Sequence, residues 1–145
     1  MLEVPATIRT DDAIADLIDI DTGVVFQATE VDDDWDHVAA ELRAAFDATK
    51  PAAIAGQPVV YIVSSDALLG RTGTGNAMVA TGLLSAARTL AAELRRDGVP
   101  VNVLGIESDT PADVIVTWVE RLLEVGGPTG ELLQLGGTQI GKALP

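Results

Sequence analysis

Cysteine is absent from this chain of 145 residues, and histidine occurs once, as His37. The absence of cysteine excludes a disulfide framework, a thiolate metal site and a cysteine nucleophile. A single histidine argues against a metal site built from several histidines and against a Ser-His-Asp triad. The sequence therefore offers little for metal-assisted or nucleophilic chemistry, and we expect no metal site.

Basic residues are also scarce, since 9 lysines and arginines face 22 aspartates and glutamates, for a net charge of −13. A surface this acidic repels nucleic acid and anionic lipid, so we expect no partner of either kind. The sequence has no basic, apolar leader and no apolar run near the ~20 residues of a membrane span. These absences predict a cytoplasmic protein, and the many alanines and aspartates are typical of a high-GC bacterial source.

Apolar residues make up 48% of the chain, while aromatic residues contribute only 3%. This composition favours one domain over residues 1–145 in which helices pack on a sheet. Hydrophobic periodicity predicts four strands and four longer helical segments in alternation. The predicted strands are 23–28, 59–63, 99–104 and 131–135, and the predicted helices are 10–18, 32–50, 76–97 and one that starts at Pro111. Such alternation predicts an α/β fold with a parallel sheet of about four strands flanked by helices.

Several segments, in order, resemble the short-chain dehydrogenases/reductases. Residues 62–65, a glycine-bearing loop and then 82–94 are similar to the central strand and long helix of that family. Residues 98–103 resemble its next strand, and 129–137 resemble its closing T-G-x-x-x-x-x-G-G strand. Residues 34–38 are similar to the start of its preceding helix. The resemblance implies a Rossmann-like fold in truncated form.

The cofactor-binding half of the family pattern is missing. In the family, a T-G-x-x-x-G-[IL]-G turn sets backbone N–H groups and a helix N-terminus against the pyrophosphate of the cofactor. No glycine precedes Gly23 here, and the match begins near residue 10. The resemblance therefore implies a truncated member that does not itself bind NAD(P).

The catalytic positions of the family are also changed. Its Tyr-x-x-x-Lys pair falls on Asn76 and Ala80, and its helix asparagine falls on Glu41. An amide does not exchange a proton near neutral pH, and alanine carries no charge. The family serine is matched by Ser65, or by Ser64 if the following loop is short. The resemblance thus implies a degenerate protein that is not an enzyme on its own.

In the family, the helices that correspond to residues 33–50 and 76–97 pair with a neighbouring subunit as a four-helix interface. The last helix and strand of the family commonly form a second interface. The resemblance therefore predicts an oligomer. The predicted interface residues are Trp35, Val38, Leu42, Phe46, Val79, Leu83, Ala87 and Leu90.

These observations support three functional hypotheses. The first is a non-catalytic scaffold or regulatory subunit that forms a homodimer or pairs with a full-length reductase or another enzyme. The second is an oxidoreductase subunit whose partner supplies NAD(P), acting on a carbonyl or hydroxyl substrate such as an acyl thioester or a steroid. The third is a small-ligand module that uses the cleft near Ser65, Asn76 and Ile106.

Three further patterns suggest sites, but each has a simpler interpretation. The run 73–75 lacks the third glycine of a dinucleotide turn and the lysine of a phosphate loop, which favours a plain connection. The carboxylates at 32–34 lack calcium-loop spacing and favour a helix cap. His37 is expected on the surface beside Asp33, Asp34 and Glu41.

Overall fold

A computed structural model describes residues 4–137 and contains one parallel sheet of five strands. The strands are β1 (Thr7–Arg9), β2 (Val24–Gln27), β3 (Val59–Ser64), β4 (Val101–Ile106) and β5 (Leu132–Gln134). Their spatial order equals their order along the chain, and each neighbouring pair is parallel. The predicted α/β class and parallel sheet are confirmed, but the sheet has five strands and not four.

The strand that the sequence did not predict is β1. Its three residues are too few to show a period, and they adopt the extended conformation because they pair with β2, with Thr7 opposite Val24. The amide of Ala6 donates to the carbonyl of Asp21 at 3.0 Å and extends the contact beyond the strand. The edge of β2 is therefore covered by a segment of the same chain.

Five helices connect the strands. They are α1 (Asp12–Ala15), α2 (Trp35–Ile54), α3 (Ser65–Leu68), α4 (Thr74–Glu93) and α5 (Ala112–Leu122). Helix α1 is shorter than predicted, while α2 runs past Pro51 because Ala52 packs in the core and the amide of Ala55 donates to the Pro51 carbonyl at 3.0 Å. A 3-10 turn follows α4, and Gly98 at φ 70° ends it, as the sequence predicts.

Helices α2 and α4 cover one side of the sheet, and α1 and α5 cover the other. Strand side chains alternate between the two sides, as a pleated strand requires. The strand residues on the α2–α4 side are Val24, Phe26, Val59, Tyr61, Val63, Val101 and Val103. Those on the α1–α5 side include Val25, Val60, Ile62 and Leu104.

Four of the predicted interface residues belong to the core of the chain itself. Val38, Val79, Leu83 and Ala87 are each at most 2% exposed and pack beneath α2 and α4. They are buried because both helices use this apolar stripe to cover the sheet, and their contact with another chain stays a prediction. Of the other four, Leu42 and Leu90 are half-buried, whereas Trp35 and Phe46 are each 62% exposed.

A buried asparagine fixes the connection between α5 and β5. The Nδ2 of Asn102 donates to the carbonyls of Leu122 at 3.2 Å and Pro128 at 2.8 Å. Its Oδ1 accepts from the amide of Glu131 at 3.1 Å. Asn102 is fully buried, so these three bonds take the place of the hydrogen bonds to water that the side chain and the loop backbone lose on folding.

Within residues 4–137, no helix is both long enough and apolar enough to cross a bilayer.

We expect Asn102→Ala to lower the free energy of unfolding by about 3 kcal/mol, because it leaves several buried backbone groups without partners. Urea denaturation measures the change. The control is Thr89→Ala, which removes an exposed hydroxyl that bonds within α4 and is expected to cost about 0.5 kcal/mol or less. Equal losses in the two variants would contradict the role given to Asn102.

Candidate functional site

The carboxyl ends of β2 and β3 and the first turns of α4 enclose a cavity of about 40 Å³, here named the edge cavity. In open α/β sheets, ligands bind at the carboxyl ends of the strands. The lining residues are Ala28, Thr29, Glu30, Ser64, Ala67, Thr72, Asn76, Val79 and Ala80. A volume of this size holds a few water molecules, at ~10–15 Å³ for each, and no cofactor.

Asn76 and Ala80, which the resemblance matches to the Tyr and Lys of the family, both lie on the wall of the edge cavity. Both ends of the Asn76 amide are bonded: its Oδ1 accepts from the amide of Val31 at 2.8 Å, and its Nδ2 donates to the carbonyl of Thr72 at 2.9 Å. Ala80 is buried and offers no functional group. At the two positions that carry the Tyr and Lys of the family, this chain therefore has structural contacts and no acid or base.

Ser65 does not line the edge cavity. It is fully buried at the start of α3, and its Oγ donates to the Oε1 of Gln134 at 2.5 Å. Gly105 makes room for this pair, since a Cβ there would lie 2.5 Å from the Gln134 oxygen. Gln134, the partner of Ser65, is a residue that sequence reasoning missed, because it lies 69 positions away along the chain.

Glu41 is almost completely buried and faces the first strand. Its carboxylate accepts two bonds from the Arg9 guanidinium, at 2.7 and 2.8 Å, and two more from the amide and hydroxyl of Thr29, at 2.6 and 2.9 Å. Burial raises the pKa of Glu41, but these hydrogen bonds outweigh burial and hold it below its ordinary value. The guanidinium also lies 4.4 Å from the ring centroid of Phe26. Glu41 thus joins β1, the β2–α2 loop and α2.

The N-terminus of α4 is occupied by a side chain of the same chain. The amide of Gly75 donates to the Oδ1 of Asp33 at 2.8 Å, and a Cβ on Gly75 would collide with the carbonyl of Asp32. Asp33, expected among the caps of α2, instead caps α4, and Asp34 alone is the N-cap of α2. A carboxylate therefore fills the position where a phosphate would bind.

The single histidine lies on the surface beside this loop. The Nδ1 of His37 is 2.7 Å from the Oδ1 of Asp32, and both side chains are exposed. The hydrogen bond to Asp32 and the neighbouring charges raise the pKa of His37. Its partner is Asp32, whereas Glu41 faces the interior. No group of three or more potential ligand side chains that could hold a metal ion occurs in the described part of the chain.

A second and larger concavity lies between α2 and α4. This α2–α4 groove has a volume of about 610 Å³. Its lining residues are Leu42, Ala45, Phe46, Thr49, Lys50, Ala53, Tyr61, Gly82, Leu83, Ser85, Ala86, Thr89, Leu90 and Glu93. The groove is mostly apolar, with the exposed ring of Phe46 at its rim and the buried Tyr61 at its floor.

The arrangement of parallel strands and flanking helices is similar to the Rossmann-like fold of the short-chain dehydrogenases/reductases. A crystal structure of acetoin dehydrogenase YohF from Salmonella typhimurium is similar, with a TM-score of 0.65 and 16% sequence identity. The similarity covers 78% of this chain and 61% of that one, so this chain spans less than two thirds of its neighbour. No family model and no curated protein matches the sequence. The neighbour confirms the fold.

The Glu41 cluster predicts a pH dependence of stability. Because the folded-state pKa of Glu41 lies below the ordinary value of 4.5, its stabilising contribution is complete above pH 4.5 and is lost as the pH falls through the folded-state value. We expect Glu41→Gln to lower the free energy of unfolding at neutral pH by about 2 kcal/mol, a modest loss because Arg9 is partly exposed. The difference between variant and wild type should shrink below pH 4.5.

Denaturant unfolding at several pH values between acid and neutral tests this prediction. The matched control is Asp47→Asn, which removes an exposed carboxylate whose partner, Arg43, is 3.7 Å away. Surface pairs of this kind contribute little, so the control should track the wild type. A Glu41→Gln loss that stays constant across the acid range would show that ionisation of Glu41 is not the source of the stability.

Proposed function

We propose that this chain is a non-catalytic subunit with the fold of a short-chain dehydrogenase/reductase, and that it acts by binding another protein chain through the face formed by α2 and α4. That chain is a second copy or a full-length reductase. The observation that carries the proposal is that the positions matching the catalytic groups of the family are committed to internal contacts. Asn76, Ser65 and Glu41 each have partners within the chain.

Hydride transfer to or from a carbonyl needs a group that gives or takes a proton at the reacting oxygen. Glu30 is the one ionisable side chain that lines the edge cavity, and it is exposed to solvent. The cavity, at about 40 Å³, is also far smaller than the ~300–1,000 Å³ typical of ligand sites. Neither the chemistry nor the volume of the edge cavity supports turnover by the chain alone.

The apolar surface of α2 and α4 supports the proposed binding of another protein chain. Four large hydrophobic side chains of these helices are exposed, and Phe46 stands at the rim of the α2–α4 groove. They are Trp35, Phe46, Ile54 and Met78. Exposed apolar side chains next to a concavity are typical of a protein-binding face.

The charge distribution favours the same face. Exposed charged side chains on α2 and α4 balance, with three basic and three acidic. They are Arg43, Lys50 and Arg88 against Asp36, Asp47 and Glu93. The whole chain, by contrast, has a net charge of −13. Another acidic chain, including a second copy, therefore meets less repulsion at this face than the net charge of the chain implies.

The proposal predicts that Phe46→Glu disrupts the complex, because it places a charge at the centre of the apolar patch. Sedimentation velocity at micromolar concentration should show wild-type protein as a dimer or as a complex with a co-purifying enzyme, and Phe46→Glu as a single chain. The control is Val125→Glu, which is 79% exposed just beyond α5 and should leave the complex intact. Wild-type protein that sediments as a single chain without a partner would contradict the proposal.

The second prediction concerns turnover. The isolated chain should show no NADH- or NADPH-dependent reduction of carbonyl compounds, and Ser65→Ala should leave that background unchanged because its hydroxyl is bonded to Gln134. Spectrophotometry at the absorbance of the reduced cofactor measures both proteins. A cofactor-dependent rate that disappears in Ser65→Ala would instead favour an oxidoreductase subunit.

A further inference from the structure

The floor of the α2–α4 groove holds two buried hydroxyl groups that share one hydrogen bond. The Oγ1 of Thr49 and the phenolic oxygen of Tyr61 are 2.6 Å apart, and the two residues are 8% and 3% exposed. Each hydroxyl carries one proton, so a single bond between them leaves one O–H without an acceptor in the part of the chain described here. Burial raises the pKa of Tyr61, which keeps its proton in place. The floor therefore offers a hydrogen-bond donor to whatever fills the groove.

A cation lines the same groove as this donor. Lys50 follows Thr49 in α2 and also lines the groove. Its Nζ lies 5.9 Å from the ring centroid of Phe46, and no carboxylate of the described residues lies within ion-pair distance of it. The ammonium group and the spare O–H together suit a negatively charged oxygen acceptor.

The rest of the groove suits an apolar body. Its walls carry small or aliphatic side chains, and Gly82 leaves space where a Cβ would lie 3.3 Å from Leu42. The volume of about 610 Å³ falls within the ~300–1,000 Å³ range of small-molecule sites. The groove has a direction. Helices α2 and α4 meet at Leu42 and Gly82, and from there they run side by side towards Lys50 and Glu93.

From these features we propose that the α2–α4 groove binds a small amphiphilic carboxylate, with one carboxylate group on an unbranched apolar chain. The carboxylate meets the ammonium of Lys50 and the hydroxyl pair of Thr49 and Tyr61. The chain extends towards Leu42 and Gly82, away from the negative charge of Glu93. Because Phe46 borders the groove and also belongs to the protein-binding face, ligand and partner exclude one another. This exclusion, unlike the binding itself, rests on the proposed function.

Calorimetric titration of the full chain with decanoate, below its aggregation concentration, tests the binding. Decanol and acetate serve as comparison ligands that lack the charge and the chain, respectively. We expect decanoate to bind with one site per chain, and decanol and acetate to bind at least about tenfold more weakly, because each lacks half of the recognition. Absence of decanoate binding, or equal binding of decanol, would overturn the proposed site.

Variants locate the ligand. Lys50→Gln should weaken decanoate binding about tenfold, and Glu93→Gln should strengthen it by removing a like charge from the groove. Arg43→Gln is the matched control, because Arg43 is an exposed base of α2 that does not line the groove. All three positions are exposed, so folding is expected to persist, and circular dichroism checks it. Equal effects of Lys50→Gln and Arg43→Gln would mean nonspecific attraction and would overturn the site.

Sedimentation with and without saturating decanoate separates the two proposals. Conversion of the wild-type complex to single chains on adding decanoate supports mutual exclusion. A complex that persists with decanoate bound overturns the exclusion and leaves the site in place. Wild-type protein that is a single chain but still binds decanoate overturns the proposed function alone, because the titration does not depend on a partner.

Discussion

The hydrogen bonds between the β2–α2 loop and the first turn of α4 are the constraint on which this structure depends. The carboxylate of Asp33 accepts a hydrogen bond from the amide of Gly75, and the side-chain oxygen of Asn76 accepts one from the amide of Val31. A parallel sheet presents its carboxyl edge to ligands, and a helix N-terminus at that edge attracts anions. Here the carboxylate of Asp33 bonds to the N-terminus of α4, and the side-chain amide of Asn76 bonds to the β2–α2 loop. The N-terminus of α4 is thereby occupied, and the cavity beside it, between β2 and β3, is small.

The face formed by α2 and α4 carries the features that point to recognition of a protein or a ligand. It combines exposed apolar side chains with balanced charge, while the chain as a whole is strongly acidic. The groove in this face also contains a buried donor and an unpaired cation, at Thr49–Tyr61 and Lys50. The protein-binding surface and the ligand site that we propose share Phe46, and together they would link assembly to the presence of a small molecule.

The sequence predicts the parts of the fold that local pattern determines. The apolar run of β3 and the long period of α4 are correct to within a few residues, because burial on both faces of a strand and helical amphipathicity leave a local signal. The extension of α2 past Pro51 and the existence of β1 depend on tertiary packing and were not predicted. The same holds for the site, since the pairs Arg9–Glu41 and Ser65–Gln134 join residues that are 32 and 69 positions apart. Position within a family pattern identified Glu41 and Ser65, but no spacing rule pointed to Arg9 or Gln134.

The central claim is that the carboxyl edge of the sheet is closed to a dinucleotide while the chain associates with another protein. Native mass spectrometry of the protein purified gently from its source cells, with NAD(H) and NADP(H) added in turn, tests both halves in one spectrum. The account predicts a dimer or a complex with a larger enzyme in which this chain carries no nucleotide. One nucleotide bound to each isolated chain would contradict it, because Asp33 already occupies the helix N-terminus at which the phosphates would bind.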